Sequence, residues 1–170
     1  MEDALMKTDD NLKAAFSGES QANRKYTAFS RKAEVEGFPQ IAKLFMAAAE
    51  AETVHALNHL RTMKGVGSTA DNLRAAKEGE IYEHSQMYPE FIKTAESEKR
   101  NDAKVTFDYA NHVERIHAGF YQEAVDAIKT GKDLPTTDYY VCQICGNTVK
   151  GEAPNKCPIC GAAKNQFRKI

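Results

Sequence analysis

Between about positions 10 and 130 this chain carries four runs in which apolar residues recur at the 3.6-residue period of a helix, and glutamate interrupts the apolar side of every run. In the first run the stripe passes through Leu12, Phe16, Glu19, Tyr26 and Phe29, and in the second through Ile41, Phe45, Ala48, Glu52, His55 and His59. The third reads Leu73, Ala76, Glu80, Glu83, Met87 and Phe91; the fourth reads Phe107, Ala110, Glu114, His117, Tyr121, Ala124 and Ile128. An unpaired ionised carboxylate in a core costs several kcal/mol, and neighbouring carboxylates repel one another as well. One such stripe could be out of register by a residue, with its glutamate in water. Agreement among four requires positive charge between them.

Helix boundaries follow from the breakers. The first helix is expected from Asn11 to Glu36, stopped by Gly37 and Pro39, and the second from Pro39 to just before Gly65. The third starts after Asp71 as N-cap and runs towards Lys99 with a kink at Pro89. The fourth spans Asp102 to Thr130 and closes at Gly131. Helices of about 25 residues are roughly 40 Å long, the size of a long four-helix bundle. Composition changes near Pro135, so the expected domains are 1–134, helical, and 135–170, a small β and loop segment.

The acidic positions have chemical spacing. Glu52 with His55 and Glu114 with His117 are both ExxH, which places carboxylate and imidazole on one helix face, and Glu19 and Glu80 add one carboxylate from each remaining helix. This is the donor set of ferritin-like di-iron and di-manganese carboxylate proteins. Four carboxylates balance two divalent ions, and the histidines complete coordination without altering charge. Glu83 is then a fifth. A hard anionic oxygen favours ferric iron more than a neutral imidazole does, so an iron that exchanged Glu83 for His55 would follow its own oxidation state. The plainer role for Glu83 is an acid that orients a ligand.

All four cysteines lie in the tail, as two CxxCG knuckles, Cys142 with Cys145 and Cys157 with Cys160. A segment this short cannot bury enough apolar surface to fold unaided, and four thiolates supply a tetrahedral metal cross-link in its place. Spacing alone permits zinc or iron; the neighbouring redox site favours iron. A net charge of -1 leaves no broad electrostatic footprint for nucleic acid or an anionic membrane. The start MEDALMKTDD lacks the pattern of a signal peptide and there is no run of eighteen apolar residues, so a soluble cytoplasmic protein is expected.

Taken together, GES around Glu19, the two ExxH pairs, EGEIYE, MYPEF and the CxxCG knuckles make the whole chain resemble rubrerythrin, a ferritin-like di-iron bundle followed by a rubredoxin-like domain. The resemblance implies that Glu52 and Glu114 bridge two irons. Glu19 with either His55 or Glu83 would hold one, and Glu80 with His117 the other. A third iron belongs to Cys142, Cys145, Cys157 and Cys160, with zinc or manganese as substitutes. Tyr26 and Tyr88 match tyrosines beside the site with a hydrogen-bonding role, whereas His59 matches no ligand and reads as a core histidine. The implied activity is reduction of hydrogen peroxide to water, with electrons from a rubredoxin-type donor or its NAD(P)H-dependent reductase, in defence against oxidative stress. A ferroxidase or iron-handling protein, and a zinc-loaded structural binding module, are the alternatives.

The linker KGVGSTADN adds an expectation about assembly. Closing a ferritin-like bundle within one chain requires residues 65–71 to bridge roughly 27 Å of helix length, yet fully extended they reach about 25 Å. The expected arrangement is therefore a helix-swapped homodimer, in which Glu19, Glu52 and His55 of one chain meet Glu80, Glu83, Glu114 and His117 of the other.

Overall fold

A computed structural model describes the backbone of residues 2–170, with side chains from residue 7 onward. Its fold class is the expected one: mainly α, with the helices of a four-helix ferritin-like bundle followed by a small three-stranded domain that carries the four cysteines. Two compact units divide at Gly67 and Ser68, and each contains one antiparallel helical pair. The sheet belongs to the second unit.

In the first unit α1 (Glu2–Val35) and α2 (Pro39–Thr62) form a hairpin. α1 begins well before Asn11, because residues 2–10 contain neither glycine nor proline to stop it. It ends where expected, at Gly37 (φ +83°), where the Phe38 N–H bonds Ala33 O at 2.9 Å and the Gly37 N–H bonds Glu34 O at 3.1 Å. Pro39 then occupies the first turn of α2, where no amide proton is needed. The seam is made of small residues: Ala33, Ala42, Ala49 and Ala56 are buried and let the helices approach closely. Two buried polar side chains set the register across it. The Asn23 amide donates to Ala49 O at 2.6 Å and to Thr53 Oγ1 at 2.7 Å, and the Ser30 hydroxyl donates to Ala42 O at 2.8 Å.

The second unit opens with α3 (Thr69–Tyr82), a π turn (Glu83–Met87), α4 (Tyr88–Ser97) and α5 (Asn101–Lys129). Ser68, rather than Asp71, is the N-cap of α3. Its hydroxyl accepts from the Asp71 N–H at 3.2 Å and donates to the Asp71 carboxylate at 2.5 Å, a reciprocal arrangement that Asp71 could not make as a cap. Instead of a simple kink at Pro89, the chain shifts its hydrogen bonding one residue ahead of it, with the Tyr88 N–H bonded to Glu83 O. α4 closes at Lys99 (φ +57°) with the Arg100 N–H on Ala95 O at 2.9 Å and the Lys99 N–H on Glu96 O at 3.1 Å, the same stop as at Gly37. Gly131 (φ +70°) ends α5 as expected.

The two pairs share more than this stop. Tyr26, Phe29 and Phe45 have ring centroids 6.2, 6.4 and 5.5 Å apart; Tyr88, Phe91 and Phe107, each 62 positions later, give 6.2, 6.2 and 5.5 Å. The tail consists of β1 (Tyr139–Cys142), β2 (Thr148–Lys150) and β3 (Phe167–Lys169) in antiparallel order β2-β1-β3. It is tied to α5 through Tyr139 edge-on to Phe120 at 6.1 Å, Lys150 4.4 Å over the Phe120 ring, and a Lys150–Glu123 ion pair. Among the described residues no helix is long and apolar enough to cross a membrane.

Candidate metal centres

Each helical pair assembles a donor triad of its own. In the first unit Glu19 of α1 comes to Glu52 and His55 of α2, with ligand atoms all within 4.8 Å of one another. The i, i+3 spacing brings His55 Nδ1 to 2.8 Å from Glu52 Oε2. The carboxylate of Glu52 is largely covered, while the His55 side chain is 54 % exposed.

The second unit repeats this with Glu80 of α3 and Glu114 and His117 of α5, again within 4.8 Å. His117 Nδ1 lies 2.8 Å from Glu114 Oε2 and 3.7 Å from Glu80 Oε1. Its other nitrogen, Nε2, is 2.9 Å from Thr148 Oγ1 of strand β2. Burial and the neighbouring Glu114 carboxylate push Glu80 up to about 7. Burial also acts upward on Glu114, but hydrogen bonds from His117 and Glu80 outweigh it and leave Glu114 below its ordinary value. The hydrogen bond to Glu114 raises His117. Two carboxylates and an imidazole that compete for one proton in a half-buried site are a set that a divalent cation satisfies in the proton's place.

Glu83 stands outside both triads, at the first position of the π turn. Burial and the Glu114 charge raise its carboxyl. Tyr88 is raised by burial first and then by Glu83, Glu114 and Glu80, so its phenol faces the second triad's charge. Tyr26 packs against Phe29 and Phe45. Among the described residues of its own unit neither phenol makes a hydrogen bond. His59 is half-buried on α2.

In the tail, the Sγ atoms of Cys142 and Cys160 are 3.7 Å apart and those of Cys145 and Cys157 3.6 Å. A tetrahedron with metal–sulfur arms of about 2.3 Å has edges of roughly 3.8 Å, so one ion fits this cage. Each knuckle turns at a glycine in the left-handed region, Gly146 (φ +82°) and Gly161 (φ +78°), and each glycine N–H returns to its first cysteine's carbonyl at 2.9 Å. Burial works against ionising Cys157, but the backbone N–H groups of Cys160 and Ile159 overcome it and bring that thiol down to about 7. Asn147, wholly buried, adds its amide to Cys157 Sγ at 3.7 Å. Among the described residues there are thus two carboxylate/histidine sites and one four-cysteine site.

Thr148 and the π turn escaped the sequence reading. A signal for the π turn was present: seven positions separate Glu19 from Tyr26, but eight separate Glu80 from Tyr88. Thr148 had none, since its role depends on how the tail docks.

Comparison with known proteins agrees with this geometry. Residues 10–125 match the family described as Rubrerythrin, and residues 140–168 match its rubredoxin-like domain. Rubrerythrin-2 of Clostridium acetobutylicum is 37% identical over 175 residues, which cover 95% of each chain. Nigerythrin of Nitratidesulfovibrio vulgaris is 39% identical over 179 residues, covering 96% of this chain and 87% of that one. Solved structures of mixed-valence and fully reduced, all-ferrous nigerythrin match with TM-scores of 0.56 and 0.57 at 38% and 37% identity, each covering 96% of this chain and 86% of the other.

Proposed function

The chain belongs to the rubrerythrin family, and we propose accordingly that it is a peroxidase that reduces hydrogen peroxide to water at a di-iron site, fed by a rubredoxin-like iron centre. The observation that carries this reading is the bond between His117 Nε2 and Thr148 Oγ1, which joins a donor triad directly to the cysteine domain. A structural zinc tail would not require contact with a carboxylate site. The ferrous and mixed-valence states described for nigerythrin support iron in the carboxylate sites here. When bound, iron supplies the two-electron chemistry that cleaves the peroxide O–O bond.

The chain's own residues have distinct tasks in this reading. Glu52 and Glu114 would hold iron together with their ExxH histidines, His55 and His117, whose Nδ1 atoms lie 2.8 Å from those carboxylates. Glu19 and Glu80 complete the two positions, and Cys142, Cys145, Cys157 and Cys160 hold the third ion. Thr148 fixes the ring plane of His117 from the far side. His55 lacks such a clamp, which supports its exchange with Glu83. Tyr26 and Tyr88 stand beside the site in this reading, with a hydrogen-bonding role toward its ligands. The donor is a rubredoxin-type protein or its NAD(P)H-dependent reductase.

We further propose the helix-swapped homodimer. With α2 ending at Thr62 and α3 starting at Thr69, only residues 63–68 are free, fewer than the sequence suggested. Fully extended they reach roughly 20 Å, whereas a bundle closed within one chain asks for about 30 Å along the helices. The test of function is metal analysis joined to peroxide consumption with a rubredoxin-type donor. Iron in all three positions and donor-dependent peroxide loss, with the visible thiolate-to-iron colour removed by Cys142→Ser, are expected. Iron-loaded protein that consumes no peroxide beyond free iron would overturn the assignment.

A further inference from the structure

On the second unit a polar cavity of about 170 Å³ lies between the π turn and α5, lined by His84, Asn111, His112 and Arg115. None of these is a metal ligand. No carboxylate lines it, and Arg115 makes no ion pair or hydrogen bond among the described residues. The Asn111 amide is aimed into the protein with Oδ1 buried and unpartnered. His112 Nδ1 is committed to Asp108 O at 2.7 Å, which fixes its ring at the cavity wall. The first unit shows what a closed seam looks like at the corresponding place. There Asn23 spans to Ala49 O and Thr53, whereas the second unit substitutes His84, Asn111 and Arg115 and leaves a space.

We infer that this cavity is a binding site for a tetrahedral oxyanion of the phosphate class. A guanidinium with no internal partner, beside an amide and two imidazoles and away from any lining carboxylate, matches the planar, multi-donor recognition of phosphate oxygens. Asn111 would serve such a ligand through its amide N–H groups alone, because its unpartnered Oδ1 is an acceptor and finds no donor on an oxyanion. Such a ligand bridges the π turn to α5. The site serves either free phosphate or a phosphate group on a larger molecule, because both present the same oxygens.

The test is calorimetric titration of the full metal-loaded chain with inorganic phosphate and, separately, with adenosine 5′-monophosphate. Wild type should show a binding event that Arg115→Gln weakens at least about tenfold, the loss expected for one charge-assisted contact. Asn111→Asp, which places like charge in the wall at nearly constant shape, should weaken it likewise, and circular dichroism verifies that both variants fold. Tighter binding of inorganic phosphate identifies a free oxyanion; tighter binding of the nucleotide identifies a phosphate carried on a larger molecule. Phosphate bound directly by the metals would persist in both variants. Equal affinities in wild type, Arg115→Gln and Asn111→Asp for both probes would overturn the site.

Discussion

The two helical pairs are built to one plan and differ at one added residue. Offset by 62 positions, Ala33 matches Ala95, Gly37 matches Lys99, and Glu52 and His55 match Glu114 and His117, with the same 2.8 Å carboxylate–imidazole bond in each. Glu19 and Glu80 are only 61 apart. The additional residue lies between Glu80 and Tyr88, and the π turn absorbs it without disturbing the aromatic cluster beyond. A π turn of this kind is a common companion of functional sites, and here it begins at Glu83, the carboxylate that has no equivalent in the first pair. The pairs differ also in how the histidine is held: the His117 side chain is 28 % exposed and capped by Thr148, against 54 % for the uncapped His55. Within its own unit one histidine is thus braced from both ring nitrogens and the other from one.

Five substitutions would break or sharpen this comparison. The largest effect is expected from Glu114→Ala, which removes a carboxylate of the second triad and should strip metal from the bundle, as should its counterpart Glu52→Ala in the first. Refolding these two dead variants together should restore activity in mixed dimers if the halves are swapped between chains. No recovered activity despite demonstrated mixed dimers would rule the swap out.

A smaller change is expected for Glu83→Ala, because the first pair manages without such a residue. Two irons should remain bound while the peroxidase rate falls roughly 10- to 100-fold. A wild-type rate in this variant would remove Glu83 from turnover.

Thr148→Val deletes the brace on His117 and makes the second half resemble the first. Metal affinity of the bundle should drop by about tenfold, with the cysteine-site spectrum unchanged. Loss confined to the cysteine site would show instead that Thr148 serves the tail alone.

The smallest effect concerns Asp102, which stands where the first pair has Gln40. The hydrogen bond from Arg100 holds its carboxyl down at about 2. A depressed carboxyl contributes stability that is complete above its unfolded value near 4 and disappears as pH falls through about 2. In the metal-free chain, the midpoint gap between wild type and Asp102→Asn should therefore narrow from pH 4.5 to pH 2. A gap constant across that window would mean the pair contributes nothing through titration.

Features decided within a few residues were legible in the sequence. The ExxH pairs, the stops at Gly37 and Gly131, and the CxxCG knuckles each follow from helical period, backbone freedom or ligand spacing, and they led directly to the family and its fold. Asp71 was misread as a cap because Ser68, three residues earlier, competes for the same amide, and only geometry shows which oxygen arrives. The π turn lay partly within reach, since its signal is a comparison between two distant segments rather than a local pattern. By contrast, the Thr148 contact to His117 and the cavity at Arg115 depend on how separate elements pack. Periodicity fixes which face a residue occupies along its own helix, but not what comes to meet it, because that is settled by side-chain volumes and hydrogen-bond satisfaction summed over the folded unit.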